Sequence, residues 1–212
     1  MITEERISTF INSFDTGNTP FLNELEQYAR ETNVPVIRPQ MQSFLKLLLS
    51  MKQPERILEV GTAIGFSALF MSEYGRPDCQ ITTIENYEKR IPIARENFRK
   101  AGKEESIALL EGDATEILKT LQEPYDMIFM DIQMPQMDGY KATQTIRNLP
   151  DKDKACIPII AMTANAFAED KKKTMEAGMN AHLSKPLNVP ELMDTIRKFC
   201  DGKQMCQRPG KE

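Results

Sequence analysis

Residues 125–131 read Tyr-Asp-Met-Ile-Phe-Met-Asp, and this short stretch decides the fold. Residues 127–130 are all apolar, which predicts a strand that is buried on both faces, as in a parallel sheet. Parallel strands are joined by crossovers of a dozen or more residues, usually helices. We therefore expect an α/β protein in which Asp131 stands at the carboxyl end of a strand, where open α/β sheets bind ligands.

Apolar runs and helical patterns alternate along the rest of the chain, and this alternation predicts a three-layer, Rossmann-like, doubly wound parallel sheet. The predicted strands are residues 57–60, 81–84, 107–110, 126–130, 157–161 and 181–183, and the predicted helices that follow them are 66–74, 87–100, 115–121, 139–148, 167–177 and 190–199. Extra helices precede the first strand; their apolar positions are Ile7, Phe10, Ile11 and Phe14, then Leu22, Leu25 and Tyr28, then Met41, Phe44, Leu45, Leu47 and Leu48.

Composition narrows the class of protein. The 212 residues carry a net charge of −4, so they offer no basic surface for nucleic acid. No apolar run approaches the roughly 18 residues of a membrane span, and the first residues lack a signal-peptide core, so we expect a cytoplasmic protein without membrane partners. The four cysteines show no CxxC spacing, which predicts isolated reduced thiols. Without a linker, residues 1–200 are expected to form one domain, followed by a frayed tail at 201–212.

Three predicted loops at the carboxyl edge of the sheet carry residues suited to a nucleotide-like ligand. Residues 59–67, Glu-Val-Gly-Thr-Ala-Ile-Gly-Phe-Ser, form a Gly-rich turn between a strand and a helix N-terminus. Glu85 ends the next strand, where a carboxylate can accept both hydroxyls of a ribose. Residues 112–114, Gly-Asp-Ala, follow the third strand, and Asp113 could accept from an adenine amine. The alternative is that Glu85 and Asp113 are solvated strand-end carboxylates.

Together these loops resemble the S-adenosylmethionine (SAM) dependent O-methyltransferases of the catechol and caffeoyl-CoA type. The likeness covers about residues 1–131 and includes the segment 37–41 before the first strand. It implies that the Gly-rich loop holds the methionine part of SAM or of its product S-adenosylhomocysteine (SAH), that Glu85 holds ribose, and that residues 113–114 border adenine. The cofactor-binding residues implied are Met41, Glu59, Gly61, Thr62, Gly65, Ser67, Glu85, Asp113 and Ala114.

The same resemblance makes Asp131 a divalent-metal ligand beside the methyl acceptor. The Asp-Asn pair that completes this site in the family is missing, and Asn165 offers one oxygen where magnesium prefers six. The acceptor-binding loops are also absent. We expect cofactor binding to survive, magnesium to have an incomplete site, and methyl transfer to be weak or lost.

From Asp131 onwards the chain resembles the second part of a two-component receiver domain. Asp131 precedes Met134-Pro135 and Asp138-Gly139, as a phosphoacceptor does, and Thr163 ends the following strand. Lys185 stands before Pro186 as in the family's Lys-Pro pair and would neutralise phosphoryl charge. His182, three residues earlier, falls at the position of the aromatic switch residue of receivers. The resemblance implies catalytic roles for Asp131, Thr163 and Lys185.

The magnesium-binding carboxylate pair of a receiver is also missing. Val60-Gly61 or Gly61-Thr62 replaces it, and the alternation along the first strand suggests that Glu59 does not point at Asp131. Losing that metal would severely impair autophosphorylation.

We therefore predict a chimera with strand order 3-2-1-4-5-6, methyltransferase-like over 1–131 and receiver-like over 125–200. Both families place a strand that ends in Asp beside the first strand, so the fourth strand would be common to both. The leading hypothesis is an engineered or recombinant fusion that binds SAM or SAH with little catalysis. An active metal-dependent methyltransferase, a phosphoacceptor module and a fold without a specific ligand are the alternatives.

Overall fold

The computed structural model describes residues 17–37, 39–132, 138–162 and 168–183. Helices and strands alternate through them as the sequence predicts. The helices are α1 (Pro20–Glu31), α2 (Pro39–Lys52), α3 (Phe66–Tyr74), α4 (Ile91–Lys100), α5 (Ala114–Thr120), α6 (Gly139–Arg147), α7 (Lys152–Ala155) and α8 (Ala168–Glu176). The strands are β1 (Arg56–Val60), β2 (Gln80–Glu85), β3 (Ile107–Glu111), β4 (Met127–Asp131), β5 (Ile159–Met162) and β6 (Ala181–Leu183).

The six strands form one parallel sheet in the order β3-β2-β1-β4-β5-β6, which confirms the predicted fold class and strand order. β4 is central: Ile57 of β1 pairs with Met127 on one side, and Ile128 pairs with Ile159 of β5 on the other. Four of its five residues are buried, as the apolar run predicts. Its carboxyl end places Asp131 at the same edge as the loops that follow β1, β2 and β3.

The helices cover both faces of the sheet and create two cores. Ile57 and Phe129 face one core, where α1 to α4 contribute residues such as Leu45 and Phe70. Leu58 and Met130 alternate to the opposite face, where α5 and α6 pack with Leu118 and Ile146. Because both faces are buried, the strands read as continuous apolar runs rather than as alternating ones.

A few element boundaries differ from the prediction for local reasons. β5 begins at Ile159, two residues late, because Pro158 has no amide to donate; its carbonyl still accepts from the amide of Ile128 at 2.9 Å. The short helix α7 was not predicted, although Asp151 caps it with its side chain. The predicted helices around 7–14 and 190–199 lie outside the described residues.

Arg147, at the end of α6, is a buried cation that ties several elements together. It is 3% exposed, and its guanidinium donates to the carbonyls of Gly178, Ala155 and Ile157 at 2.8–2.9 Å. It also donates to the side-chain oxygen of Asn180 at 2.7 Å. Burial lowers the pKa of Arg147 to about 10. These bonds join α6, α7, the segment before β5 and the turn before β6.

Two of the cysteines lie within the described residues. Cys79 is a buried free thiol, and burial raises its pKa to about 11. Cys156, by contrast, is disulfide-bonded, so the prediction of isolated reduced thiols is wrong for that residue. The prediction relied on missing CxxC spacing, which does not report on cysteines that the fold brings together from distant positions. Among the described helices, none is long and apolar enough to cross a membrane.

Candidate ligand-binding site

The Gly-rich loop between β1 and α3 turns through three residues with left-handed backbones. Gly61 has φ 103°, Ala63 has φ 51° and Gly65 has φ 85°. The amide of Gly61 donates to the carbonyl of Ile84 on β2 at 3.0 Å, which fixes the start of the loop. Gly65 is the N-cap of α3 and offers no side chain to cap the helix, so the first amides of α3 face the sheet edge without a capping side chain.

Two residues of α4 shape this loop, and sequence reasoning missed both. The side-chain amide of Asn97 donates to the carbonyl of Ile64 at 2.8 Å and is buried. The ring of Phe98 lies so close to Gly65 that a Cβ there would fall 2.5 Å from a ring carbon. The helical spacing of α4 identifies its buried face, but nothing in the sequence shows which loop that face contacts.

Glu59 and Ser67 form part of a buried hydrogen-bond network under the loop. Ser67 donates to one carboxylate oxygen of Glu59, and the hydroxyl of Thr83 donates to the other at 2.6 Å. The hydroxyl of Thr62 lies 2.6 Å from that of Thr83 and extends the chain of contacts. Glu59 has no exposed surface, so its carboxylate orients Ser67 and β2 rather than facing the ligand cleft.

The register between β1 and β4 fixes the face of the sheet on which Glu59 lies. β1 pairs with β4 so that Glu59 lies opposite Phe129, which puts Asp131, two residues on, on the same face. Burial raises the pKa of Glu59 to about 7; bonds from Ser67 and Thr83 oppose this rise, and the charges of Glu85 and Asp131 add to it. Glu59 and Asp131 thus share one face of the sheet, but the oxygens of Glu59 are bonded to Ser67 and Thr83. That Glu59 does not point at Asp131 stays a prediction.

Glu85 lies at the end of β2, where the sequence places it, but its carboxylate already has protein partners. One oxygen accepts from the amide of Ala63 at 2.7 Å. The other accepts from the amides of Asn86 at 3.0 Å and Tyr87 at 2.9 Å. The side chain is 9% exposed. Glu85 thus joins the Gly-rich loop to the loop after β2.

The third predicted loop follows β3 and is tied to the second. The amide of Gly112 donates to the carbonyl of Glu85 at 2.9 Å, and Gly112 adopts φ 136°. Asp113 caps α5 through one oxygen, which accepts from the amides of Thr115 and Glu116 at 2.8 and 3.3 Å. Ala114 is buried at the first turn of α5. The structure therefore brings the three predicted loops to one edge.

The remaining predicted residues are spread more widely. Met41 is buried in the core on α2. Asp131 ends β4 at the carboxyl edge of the sheet. His182 is buried on β6, and its Nδ1 lies 2.8 Å from the hydroxyl of Thr174. The predictions for Thr163, Asn165 and Lys185 lie outside the described residues.

A magnesium site does not emerge from the residues that the structure describes. In those ranges no group of three or more His, Cys, Asp and Glu side chains could hold a metal. Two other carboxylates of the Gly-rich region already have protein partners. Glu59 accepts from two hydroxyls, and Glu85 accepts from three backbone amides. The described donor set does not fit a hard cation that prefers six oxygen ligands.

Comparison with known proteins shows a likeness to receiver domains over about half of the chain. Residues 90–197 match the model of the response regulator receiver domain. Histidine kinase 1 of Arabidopsis thaliana is 48% identical over 73 residues, which are 34% of this chain and 6% of that protein. The match to the family model begins before residue 125, so receiver likeness overlaps the region predicted to be methyltransferase-like.

Solved structures resemble the chain through the methyltransferase fold. The SAH-bound methyltransferase PaMTH1 of Podospora anserina has a TM-score of 0.53 and 32% identity, covering 59% of this chain and 55% of that one. The O-methyltransferase TomG of Streptomyces achromogenes, in complex with SAM, has a TM-score of 0.51 and 28% identity, covering 61% and 62%. This chain spans less than two thirds of each of these proteins. The chain belongs to the response regulator receiver domain family over about half its length and is otherwise similar to O-methyltransferases, consistent with a methyltransferase–receiver chimera.

Proposed function

We propose that the protein is a fusion that binds SAM or SAH at the carboxyl edge of β1, β2 and β3 and catalyses little or no methyl transfer. The observation that carries the proposal is the convergence of three loops, 61–65, 85–87 and 112–114, at one sheet edge. Similarity at 28–32% identity to methyltransferases with SAH or SAM bound supports the same ligand class. A site of this kind lies where open α/β sheets bind nucleotides.

The residues around the proposed cleft fit the parts of such a ligand. Gly61 and Gly65 allow the positive φ angles of the loop, and the uncapped first turn of α3 suits a negatively charged group such as a carboxylate. Glu85 presents a carboxylate for a sugar hydroxyl. Asp113 uses one oxygen for its helix cap, which leaves the other for an amine. SAM, when bound, would supply an activated methyl group.

The strand order supports a fusion rather than an intact member of either family. Receivers order their strands 2-1-3-4-5, with one strand between the phosphoacceptor strand and the strand that precedes it in the chain. Here β3 precedes β4 in the chain, yet β2 and β1 lie between them. The region before β4 therefore follows the methyltransferase order, whereas β5 and β6 follow β4 as the last two strands of a receiver follow its phosphoacceptor strand.

Weak catalysis is part of the proposal because the sequence lacks the family's metal-binding Asp-Asn pair and acceptor loops, and because no group of three or more His, Cys, Asp and Glu side chains in the described ranges could hold a metal. Turnover assays with SAM, magnesium and catechol-type or hydroxyuridine acceptors should give no methylated product. Measurable turnover that depends on Asp131 would favour an active methyltransferase instead.

Titration calorimetry of the full chain with SAH tests the binding proposal. We expect saturable heat with a dissociation constant in the micromolar range or weaker, on the order of −8 kcal/mol or less in magnitude. Glu85→Ala and Asp113→Ala should each weaken binding. Glu111→Ala is a matched control because Glu111 also ends a strand but pairs with exposed Arg95. No heat and no thermal shift with SAM or SAH in a folded sample would contradict the proposal.

A second candidate function is that of a phosphoacceptor, which the family match over residues 90–197 favours. Asp131 would take the phosphoryl group at the end of β4. Treatment with acetyl phosphate and magnesium should then add one phosphoryl mass to the wild type and none to Asp131→Asn. An unchanged intact mass in the wild type removes this candidate.

A further inference from the structure

The acceptor capacity of Glu85 is almost used up inside the protein. An ionised carboxylate has about four positions at which it can accept hydrogen bonds, two on each oxygen. Asn86 and Tyr87 occupy both positions on Oε1, and Ala63 occupies one on Oε2. One position remains for a ligand, on the oxygen that already binds the Gly-rich loop.

The three amide bonds are difficult to displace. Asn86 and Tyr87 directly follow Glu85, so their bonds belong to the turn itself. Ala63 adopts φ 51°, a conformation that non-glycine residues seldom take, and the bond to Glu85 holds it there. Hydrogen bonds to a charged group are stronger than neutral ones, and an amide that loses its partner in a 9% exposed site would also pay for desolvation.

We propose that Glu85 accepts only one of the two hydroxyls of a ribose-type diol, so the site distinguishes between the two hydroxyl positions. The recognised hydroxyl is the one nearer the Gly-rich loop, because the open position is on Oε2. A carboxylate without protein partners would accept both hydroxyls, one on each oxygen. This inference rests on the proposed SAM-type site and specifies which ribose hydroxyl that site binds.

The test compares SAH with its 2′-deoxy and 3′-deoxy analogues by titration calorimetry on the full chain. One analogue should bind at least about tenfold more weakly than SAH, since it loses a bond to a charged acceptor, while the other should stay within about threefold. Equal losses for both analogues, or no loss for either, would overturn the single-acceptor proposal. Absence of binding by SAH itself would instead overturn the proposed function and, with it, this inference.

Variants separate the role of Glu85 from a general effect on folding. Glu85→Ala should bring the affinities of the two deoxy analogues to within about threefold of each other and should speed hydrogen exchange of the Ala63 amide. Glu111→Ala, at the paired position on β3, should leave the ratio between the analogues unchanged. Retention of the full ratio in folded Glu85→Ala would show that another group reads the sugar and would overturn the proposal.

Discussion

The hydroxyl of Thr83 donates a 2.6 Å hydrogen bond to the carboxylate of Glu59 on the neighbouring strand, and both side chains are fully buried. This pair supports the floor of the Gly-rich loop, because Glu59 also binds Ser67 at the first turn of α3. A buried carboxylate costs free energy when it is ionised unless it is well bonded. The loop therefore depends on the protonation of a residue that does not itself face the cleft.

Glu59 should make the protein less stable as pH rises from acidic to neutral. Its pKa is about 7 in the folded protein and 4.5 ordinarily, so the folded state binds the proton more tightly. The contribution is present below pH 4.5 and is lost as pH rises to about 7, and it amounts to about 3 kcal/mol. Urea unfolding of wild type and Glu59→Gln across pH measures it. Between pH 4.5 and 7, wild type should lose about 3 kcal/mol of unfolding free energy relative to Glu59→Gln. A wild type whose stability stays level or rises relative to Glu59→Gln over that range would refute this role.

Thr83→Val should raise the pKa of Glu59 further. The valine keeps the shape of threonine but removes a bond that stabilises the ionised carboxylate. The pH window of the stability change should therefore extend above 7. Thr82→Val is the matched control, since the hydroxyl of Thr82 bonds to Tyr125 at 3.1 Å on the other face of β2. If both variants have the same pH profile, the Thr83 bond has no special effect on Glu59.

Gly65→Ala should destabilise the fold by about 3 kcal/mol. The alanine must adopt φ 85°, at about 1 kcal/mol, and its Cβ would overlap the ring of Phe98, at about 2 kcal/mol more. Gly102→Ala also has a positive φ but meets nothing within 4 Å, so it should cost about 1 kcal/mol. Denaturant titration compares the two. Equal losses would mean that Phe98 moves aside freely.

Arg147→Met should destabilise the receiver-like part by about 3 kcal/mol, because it leaves three carbonyls and the Asn180 side chain without the guanidinium. Arg95→Met removes an exposed ion pair to Glu111 and should change stability by less than about 0.5 kcal/mol. Thermal unfolding of both variants measures the difference. Similar small effects would show that methionine packs equally well in place of Arg147.

The sequence predicts the sheet because short apolar runs, typical of buried strands, alternate with segments of helical periodicity. The clearest of these runs is β4. It also predicts the three loops, since Gly61, Gly65 and Gly112 occur where the backbone needs positive φ. These features are local, so one stretch of chain is sufficient to read them.

The relations between distant residues could not be predicted in the same way. The placement of Glu59 and Asp131 on one face of the sheet depends on the register between β1 and β4, which alternation along β1 does not contain. The bond from the amide of Ala63 to Glu85 depends on how the Gly-rich loop meets β2, and the bonds of Arg147 depend on how α6 meets the segment before β5. Long-range pairing sets each of these, so only the folded chain reveals them.

A crystal structure of the full chain grown with SAH tests the central claim most directly. We predict electron density for the ligand in the cleft bounded by loops 61–65, 85–87 and 112–114, with one ribose hydroxyl in contact with Glu85 and the amide of Ala63 still bonded to it. Well-ordered crystals at saturating SAH with no density at that edge, or with density only elsewhere, would contradict the account.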